Sequence, residues 1–129
     1  MAASGTQGQK LVVSAMLEFA TKEARDEAVR ITAPAQLATR VEEEGCISYC
    51  FAPDPCVDTR IQVYELWVDE AALVAHFKHH TYAAMRDLLM QSGSIGSTNR
   101  MYLVQRDEPV YDSQGRARES FFTDPLPEG

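Results

Sequence analysis

The sequence has few cysteines, no cluster of basic residues and no long hydrophobic run, and each shortage excludes a class of protein. Its 129 residues carry 12 Lys and Arg against 19 Asp and Glu, a net charge of −7. Nucleic-acid binding depends on neutralising phosphates, so we discard it as a primary role. No apolar stretch nears the roughly 20 residues that cross a bilayer, and residues 1–10 lack the apolar core of a secretory signal. We therefore expect a soluble, cytoplasmic protein with no membrane association.

Cofactor motifs are absent from the sequence as well. The three cysteines, Cys46, Cys50 and Cys56, are odd in number and their spacing matches no common zinc site, so we expect reduced thiols and no metal. The sequence has no P-loop, no G-x-G-x-x-G turn and no zincin motif. Nucleotide, flavin and zinc cofactors therefore have no support in the sequence.

The composition that remains is that of one globular domain, with 45% hydrophobic and 24% charged residues. We divide the chain into a flexible N-terminus at residues 1–9, a folded domain at residues 10–106 and an extended C-terminal arm at residues 107–129. The arm has little periodicity, but Phe121 and Phe122 favour burial by about 1.5–3 kcal/mol each. We expect the arm to dock on a surface, either across a dimer or over a cleft.

Periodic patterns set the order of elements in the domain. Period-two alternation of apolar residues predicts four strands, at residues 10–19, 46–52, 60–68 and 100–106. Helical spacing predicts one helix from a cap at Thr21 to Glu44 and another after a cap at Asp69. Pro34 removes a backbone donor inside the first helix, so we expect a kink or two pieces there. We expect the second helix to break at residues 79–81, and residues 93–98 to form a flexible loop.

The order strand, helix, strand, strand, helix, strand is that of a ferredoxin-like βαββαβ fold, in the α+β class. Right-handed crossovers put both helices on one face of a four-stranded antiparallel sheet. The other face is left uncovered, although the first strand carries apolar residues on both of its sides. A second copy of the chain would cover that face, so we expect a homodimer.

The most informative pattern lies within residues 39–88. It consists of EGCISY at residues 44–49 and YELWVDEAAL at residues 64–73, with His76 nine residues after Trp67. This pattern resembles the antibiotic biosynthesis monooxygenase family of dimeric α+β barrels. The resemblance implies a cofactor-independent monooxygenase that oxidises a small aromatic, quinol-like or anthrone-like substrate with O₂ in secondary metabolism. An isomerase or cyclase that uses the same pocket without O₂, and a non-catalytic dimeric binding or accessory domain, remain alternatives.

Heme is disfavoured as a cofactor. In the heme-degrading branch of this family, the resemblance places the ligand histidine ten residues after the tryptophan, where this chain has Phe77. That branch also has an asparagine in the first strand, where this chain has Ser14 and no asparagine. We therefore expect a reaction without a cofactor.

Three residues of the motif are candidate catalytic residues. His76 has a side chain suited to removing a phenolic or carbon-bound proton at neutral pH. Trp67 would line the pocket, and Glu65 shares its strand face by parity. Each also has a structural interpretation. His76 and Trp67 are then core residues, and Glu65 has a helix-capping or ion-pairing role, for instance with Arg40 or Arg86.

Five further residues are candidates for substrate binding, namely Phe77, Tyr82, Arg86, Ser14 and Tyr49. Arg86 would place a positive charge near a substrate anion, and the two hydroxyl residues would each supply a polar contact. Alternatively, Arg86 is a solvated helix residue and both hydroxyls serve the sheet or the dimer face. His79 and His80 are adjacent and cannot share one helical face, so we expect at least one of them to be solvated.

Overall fold

The computed structural model describes residues 8–124, which form a four-stranded antiparallel sheet with three helices. The elements in chain order are β1 (Leu11–Phe19), α1 (Lys22–Glu42), β2 (Cys46–Pro53), β3 (Arg60–Trp67), α2 (Glu70–Phe77), α3 (His80–Gln91) and β4 (Ser94–Leu103). The strand order in the sheet is β2-β3-β1-β4. This order confirms the predicted ferredoxin-like α+β fold. Within residues 8–124, no helix is both long enough and apolar enough to cross a membrane.

The register of the central strands decides which side chains meet the helices. Val13 of β1 pairs with Glu65 of β3, and Ala15 pairs with Val63. Because successive side chains point to opposite faces, these residues share the side on which the core forms. Twelve buried hydrophobic residues make up that core, among them Leu11, Phe19, Ile61 and Leu73. The opposite face of the sheet carries the exposed side chains of Tyr64 and Tyr102.

β4 begins at Ser94, so the flexible loop predicted at residues 93–98 is wrong. Its small and polar residues have little strand preference and hide the strand in the sequence. Backbone pairing with β1 holds this segment in the sheet instead. Leu17 of β1 lies opposite Ser97, and Glu18 lies opposite Gly96. β4 is an edge strand and is exposed along most of its length, so it needs no apolar alternation.

The helix boundaries follow side-chain caps. Thr21 Oγ1 accepts a hydrogen bond from the Ala24 amide at 3.0 Å, as predicted for the start of α1. Of the two outcomes predicted at Pro34, the division into two pieces is wrong, because α1 runs through Pro34 as one helix, and the kink stays a prediction. Pro34 has no backbone N–H, so the carbonyl oxygen of Arg30, one turn earlier, receives no hydrogen bond from it. Both residues are exposed, so water can donate to that carbonyl instead. The predicted break of the second helix is confirmed, with His79 as the N-cap of α3.

The described part of the C-terminal arm, residues 107–124, folds mainly on itself. The Arg106 guanidinium donates to the carbonyl oxygens of Phe122 and Asp124, both at 2.6 Å. It also lies 5.3 Å from the centre of the Phe122 ring. Phe121 and Phe122 remain about half exposed, and neither lines the cavity described below. The predicted docking of the arm over a cleft is therefore not found within one chain. Packing of Phe121 and Phe122 across a dimer stays a prediction.

Gly45 joins α1 to β2 at a point where α2 approaches closely. A Cβ added there would overlap Cβ of Ala72 and lie 3.0 Å from Cγ1 of Val68. We predict that Gly45→Ala lowers the free energy of unfolding by about 1–3 kcal/mol, as expected for overpacking, measured by urea denaturation. Gly96→Ala is the matched control, since a Cβ at Gly96 meets nothing within 4 Å. Equal stability of the two variants would contradict this account of the junction.

Candidate active site

A cavity of about 480 Å³ lies between the helix-facing side of the sheet and helices α2 and α3. Its wall is mostly apolar and aromatic, with a few ionisable and polar groups set into it. The side chains that line it include Val13, Ala15, Leu17, Tyr49, Phe51, Val63, Glu65, His76, Phe77, Tyr82, Met85, Arg86, Leu89, Ser97 and Asn99. A cavity of this size accommodates a small organic molecule.

His76 of α2 is buried, with 1% of its surface exposed, and lines this cavity. Its Nδ1 lies 3.0 and 3.1 Å from the two carboxylate oxygens of Glu43. Within residues 8–124, His76 Nε2 has no hydrogen-bond partner. Every side-chain nitrogen or oxygen that is fully buried in this part of the chain does have a partner, so Nε2 is not fully buried. We conclude that Nε2 is open to the cavity. Burial lowers the pKa of His76 below its usual 6.5, against the raising effect of Glu43.

Glu43 is the residue of this site that the sequence analysis missed. It follows α1 as its C-cap, and its side chain is 7% exposed. Besides His76, it accepts a hydrogen bond from the Thr81 hydroxyl at 2.6 Å. In the sequence it stands in the middle of three consecutive glutamates, a pattern typical of a solvated surface. Only the folding of α2 and α3 against the end of α1 distinguishes Glu43 from its two neighbours.

Glu65 of β3 is the second ionisable group in the wall and is 8% exposed. Burial raises the pKa of its carboxyl from 4.5 to about 7, although a hydrogen bond from the Trp67 indole acts in the opposite direction. The predicted ion pair with Arg40 or Arg86 is wrong. Arg40 Nε instead donates to the carbonyl oxygen of Tyr49 at 2.7 Å, and Arg86 lies near Asp87. Among residues 8–124, no cationic group offsets the effect of burial on the pKa of Glu65.

Trp67 is completely buried and does not line the cavity, which corrects its predicted place in the pocket wall. Its ring packs on that of His76, with 4.5 Å between the centres. Its indole Nε1 donates to Glu65 Oε1 at 3.0 Å. Trp67 therefore contacts both ionisable groups from behind and holds them in position.

Three of the predicted substrate-binding residues form an aromatic wall around His76. The ring centres of Tyr49 and Tyr82 lie 5.4 and 5.5 Å from the imidazole centre, and that of Phe77 lies 5.9 Å away. All three side chains line the cavity. Burial raises the pKa of Tyr49 far above its usual range, so its hydroxyl stays neutral and is able to donate a hydrogen bond.

The other predicted residues divide between the cavity and the surface. Arg86 lines the cavity, but its side chain is 61% exposed, which places it at the rim. Ser14 is exposed and does not line the cavity, because even-numbered residues of β1 point to the opposite face. The predicted contribution of a Ser14 hydroxyl to the pocket is therefore wrong. His80 is solvated, with 72% of its side chain exposed, as expected for at least one of the two adjacent histidines.

The arrangement places a base and an acid on one apolar cavity. His76 is mainly neutral at neutral pH because its pKa is lowered, and its Nε2 can accept a proton from a bound molecule. Glu65 retains a proton over part of the same pH range and can donate a hydrogen bond. Opposite displacements of two pKa values in one cavity are typical of sites that move protons.

The fold and this site define a class, a ferredoxin-like α+β domain with a cavity between sheet and helices that is lined by a buried histidine and a buried glutamate. The sequence model of the antibiotic biosynthesis monooxygenase family matches residues 11–88, more than half of the chain. The chain therefore belongs to the antibiotic biosynthesis monooxygenase family. The matched region contains Glu43, Glu65, Trp67 and His76, and it ends before β4.

Solved structures share the same fold at low sequence identity. A protein of Deinococcus radiodurans named a putative antibiotic biosynthesis monooxygenase superposes with a TM-score of 0.69 at 17% identity, covering 79% of this chain and 99% of that chain. A protein of Caulobacter crescentus with the same name gives 0.67 at 15% identity, covering 75% and 91%. A conserved protein of Bacteroides thetaiotaomicron, described as a possible oxidoreductase, gives 0.65 at 17% identity, covering 74% and 98%. Among curated proteins, no sequence gives a significant match.

The buried carboxyl of Glu65 makes stability depend on pH. Its pKa is about 7 in the folded protein, whereas the ordinary value, which applies to the unfolded chain, is 4.5. The unfolded chain therefore loses this proton at a lower pH. The contribution of Glu65 to stability therefore falls as pH rises from 4.5 to 7, by about 3 kcal/mol at 1.36 kcal/mol per pKa unit. We predict that Glu65→Gln, which carries no charge at any pH, removes this part of the fall. Urea denaturation across that pH range measures it.

The matched control for this experiment is Glu44→Gln, at an exposed position. It should keep the pH dependence of the unaltered chain. An identical fall in stability for the unaltered chain and Glu65→Gln would show that Glu65 does not carry a buried proton.

Proposed function

We propose that the chain is a cofactor-independent monooxygenase that oxidises a small quinol-like or anthrone-like aromatic molecule with O₂. The observation that carries the proposal is that His76 and Glu65 both line one apolar cavity, with a neutral base and a carboxyl that retains its proton near neutral pH. Membership of a family of monooxygenases supports the reaction class. The absence of flavin, nucleotide and metal-binding motifs in the sequence is consistent with a reaction that uses no cofactor.

The first step is removal of a proton from the substrate by His76 Nε2. An anthrone-like molecule has an acidic CH₂ group, because the resulting anion is delocalised over the rings. Nδ1–H of the same imidazole donates to Glu43, which fixes the ring orientation and stabilises the imidazolium that forms. Glu43 is therefore a positioning residue. The protonated carboxyl of Glu65 would donate a hydrogen bond to the substrate oxygen that takes up the negative charge.

The anion then reacts with O₂ without an added reductant. It gives one electron to O₂, and the resulting radicals combine to form a peroxide at the former CH₂ carbon. The peroxide takes up the proton that His76 removed. Loss of the remaining C–H proton together with hydroxide gives a carbonyl and water. The balance is CH₂ + O₂ → C=O + H₂O, so one oxygen atom enters the product and the other leaves as water.

The lining of the cavity favours an uncharged or phenolic aromatic substrate. Phe77 and Tyr82 line the cavity beside His76 and offer aromatic rings that can pack against a flat molecule. The net charge of −7 disfavours a polyanion. Arg86 at the rim would attract a substrate anion, and Arg100 is a second cationic residue in the lining.

An isomerase or cyclase is the second candidate function, because a base and an acid on one cavity also suit proton shuttling without O₂. The non-catalytic alternative has less support. It would be favoured by a filled core with His76 and Glu65 turned away from any cavity, whereas both residues line an open one.

We also propose that two chains pair through the uncovered face of the sheet. That face carries Tyr64 and Tyr102, which are 46% and 52% exposed in one chain. Val12 of β1 lies between Leu66 of β3 and Tyr102 of β4 across the ladders and adds to the apolar surface. A sheet with apolar residues on both sides is stabilised when its second face is covered as well.

Oxygen consumption with an anthrone or a quinol tests the proposed reaction. We predict uptake above the spontaneous background, lowered by about 10²–10⁴-fold in His76→Ala, the usual contribution of a general base. Glu43→Gln should be impaired to a smaller extent, because it keeps the base but weakens its orientation. The matched control is His80→Ala, which removes a solvated histidine and should keep full activity.

Anaerobic incubation separates the two enzyme classes. Turnover of the same substrate without O₂ would contradict the monooxygenase and favour the isomerase or cyclase. Equal oxygen uptake in the unaltered chain and His76→Ala would exclude His76 as the base. Circular dichroism of each variant checks that the fold is kept.

Sedimentation velocity tests the dimer. We predict that the unaltered chain sediments as a dimer and that Tyr64→Arg shifts it toward the monomer, since two like charges would then face each other across the interface. Val41→Arg is the control, because Val41 is a 74% exposed apolar residue on α1, away from that face. A monomeric unaltered chain, or an equal effect of both substitutions, would contradict the proposal.

A further inference from the structure

Outside the cavity, Glu42 at the end of α1 lies next to His79 and His80 at the start of α3. One ligand atom from each of the three residues lies within 4.8 Å of the other two. We propose that Glu42, His79 and His80 bind a divalent transition-metal ion of the zinc type. This inference does not depend on the proposed reaction, and the candidate site lies on the surface rather than in the cavity wall.

The distances suit such an ion. His80 Nε2 lies 2.8 Å and His79 Nε2 lies 3.8 Å from the same oxygen, Glu42 Oε1. Ligand atoms around a tetrahedral zinc ion are about 3.3 Å apart, given bonds of about 2.0–2.1 Å to nitrogen and oxygen. The two observed separations bracket this value, so small side-chain rotations would bring all three atoms into place.

The chemistry of the donors narrows the class of metal. Two imidazoles and one carboxylate suit zinc, copper, nickel or iron better than magnesium or calcium, which prefer oxygen ligands alone. Three protein ligands would leave a fourth position for water. The side chains of Glu42, His79 and His80 are 43%, 30% and 72% exposed, so an ion can enter directly from solvent.

The structure also supplies an outer contact that would orient His79. Its Nδ1 lies 3.0 Å from the Thr81 hydroxyl oxygen, and that hydroxyl donates to Glu43 at 2.6 Å. The Thr81 oxygen can therefore accept a hydrogen bond from Nδ1–H, which leaves Nε2 free for the metal. Metal-binding histidines usually donate their second ring N–H in this way. The alternative tautomer gains only the longer contact from the Thr81 amide, at 3.3 Å.

Isothermal titration of the untagged, full-length chain with Zn²⁺ tests the proposal. We expect one site per chain, and an affinity lowered by about tenfold or more in His80→Ala and in Glu42→Gln. Both substitutions fall on exposed residues and should leave the fold intact, which circular dichroism verifies. Glu44→Gln is the matched control for the carboxylate, and it should bind Zn²⁺ like the unaltered chain.

Thiolate binding is the competing source of zinc affinity, because Cys56 is exposed and unpaired. Cys56→Ser should keep the site, and Co²⁺ bound in place of Zn²⁺ should show ligand-field bands without a thiolate charge-transfer band. Loss of binding in Cys56→Ser, or unchanged affinity in the double variant His80→Ala with Glu42→Gln, would overturn the proposal. Absence of zinc binding by the unaltered chain would overturn it as well.

Discussion

The contact between Glu43 and His76 is the interaction on which the rest of the site depends. It ties the end of α1 to α2, and through Thr81 it reaches the first turn of α3. Both side chains are almost completely removed from solvent. Removing one partner from such a pair leaves the other buried without compensation, which is costly for stability. The same contact therefore holds three helices together and fixes the tautomer and direction of the imidazole.

Desolvation shifts the pKa values of His76 and Glu65, which both line the cavity, in opposite directions. It favours the neutral form of each, which means a free base at His76 and a protonated acid at Glu65. Trp67 links the two effects, because its ring covers one face of the imidazole while its indole N–H contacts the carboxyl. Trp67 is thus a core residue, as its structural interpretation from sequence has it, and it contacts both groups of the cavity wall without lining the cavity itself.

The sequence predicts best what depends on local periodicity and worst what depends on contacts between distant elements. Alternation in β3 correctly places Glu65 and Trp67 on one face of the strand, and the caps at Thr21 and Asp69 mark real helix starts. The prediction that Ser14 contributes to the pocket is wrong, because the same alternation, applied to position 14, points its side chain away from the cavity. Glu43 has no local signal, since its role arises only when α2 and α3 pack against the end of α1. The first half of β4, residues 94–99, is not predicted as a strand because its order comes from backbone pairing with β1 rather than from its own side chains.

That origin of order in β4 has an evolutionary consequence. The strand contributes Ser97 and Asn99 to one wall of the cavity while it pairs with only one neighbour. Substitutions at these two positions change the shape of the space without disturbing the buried core on the other side of β1. The opposite wall, with His76 and Glu65, is fixed by packing and tolerates little change. Sequence changes at Ser97 and Asn99 can therefore alter which molecules fit the cavity, while the packing of His76 and Glu65 around Trp67 stays as it is.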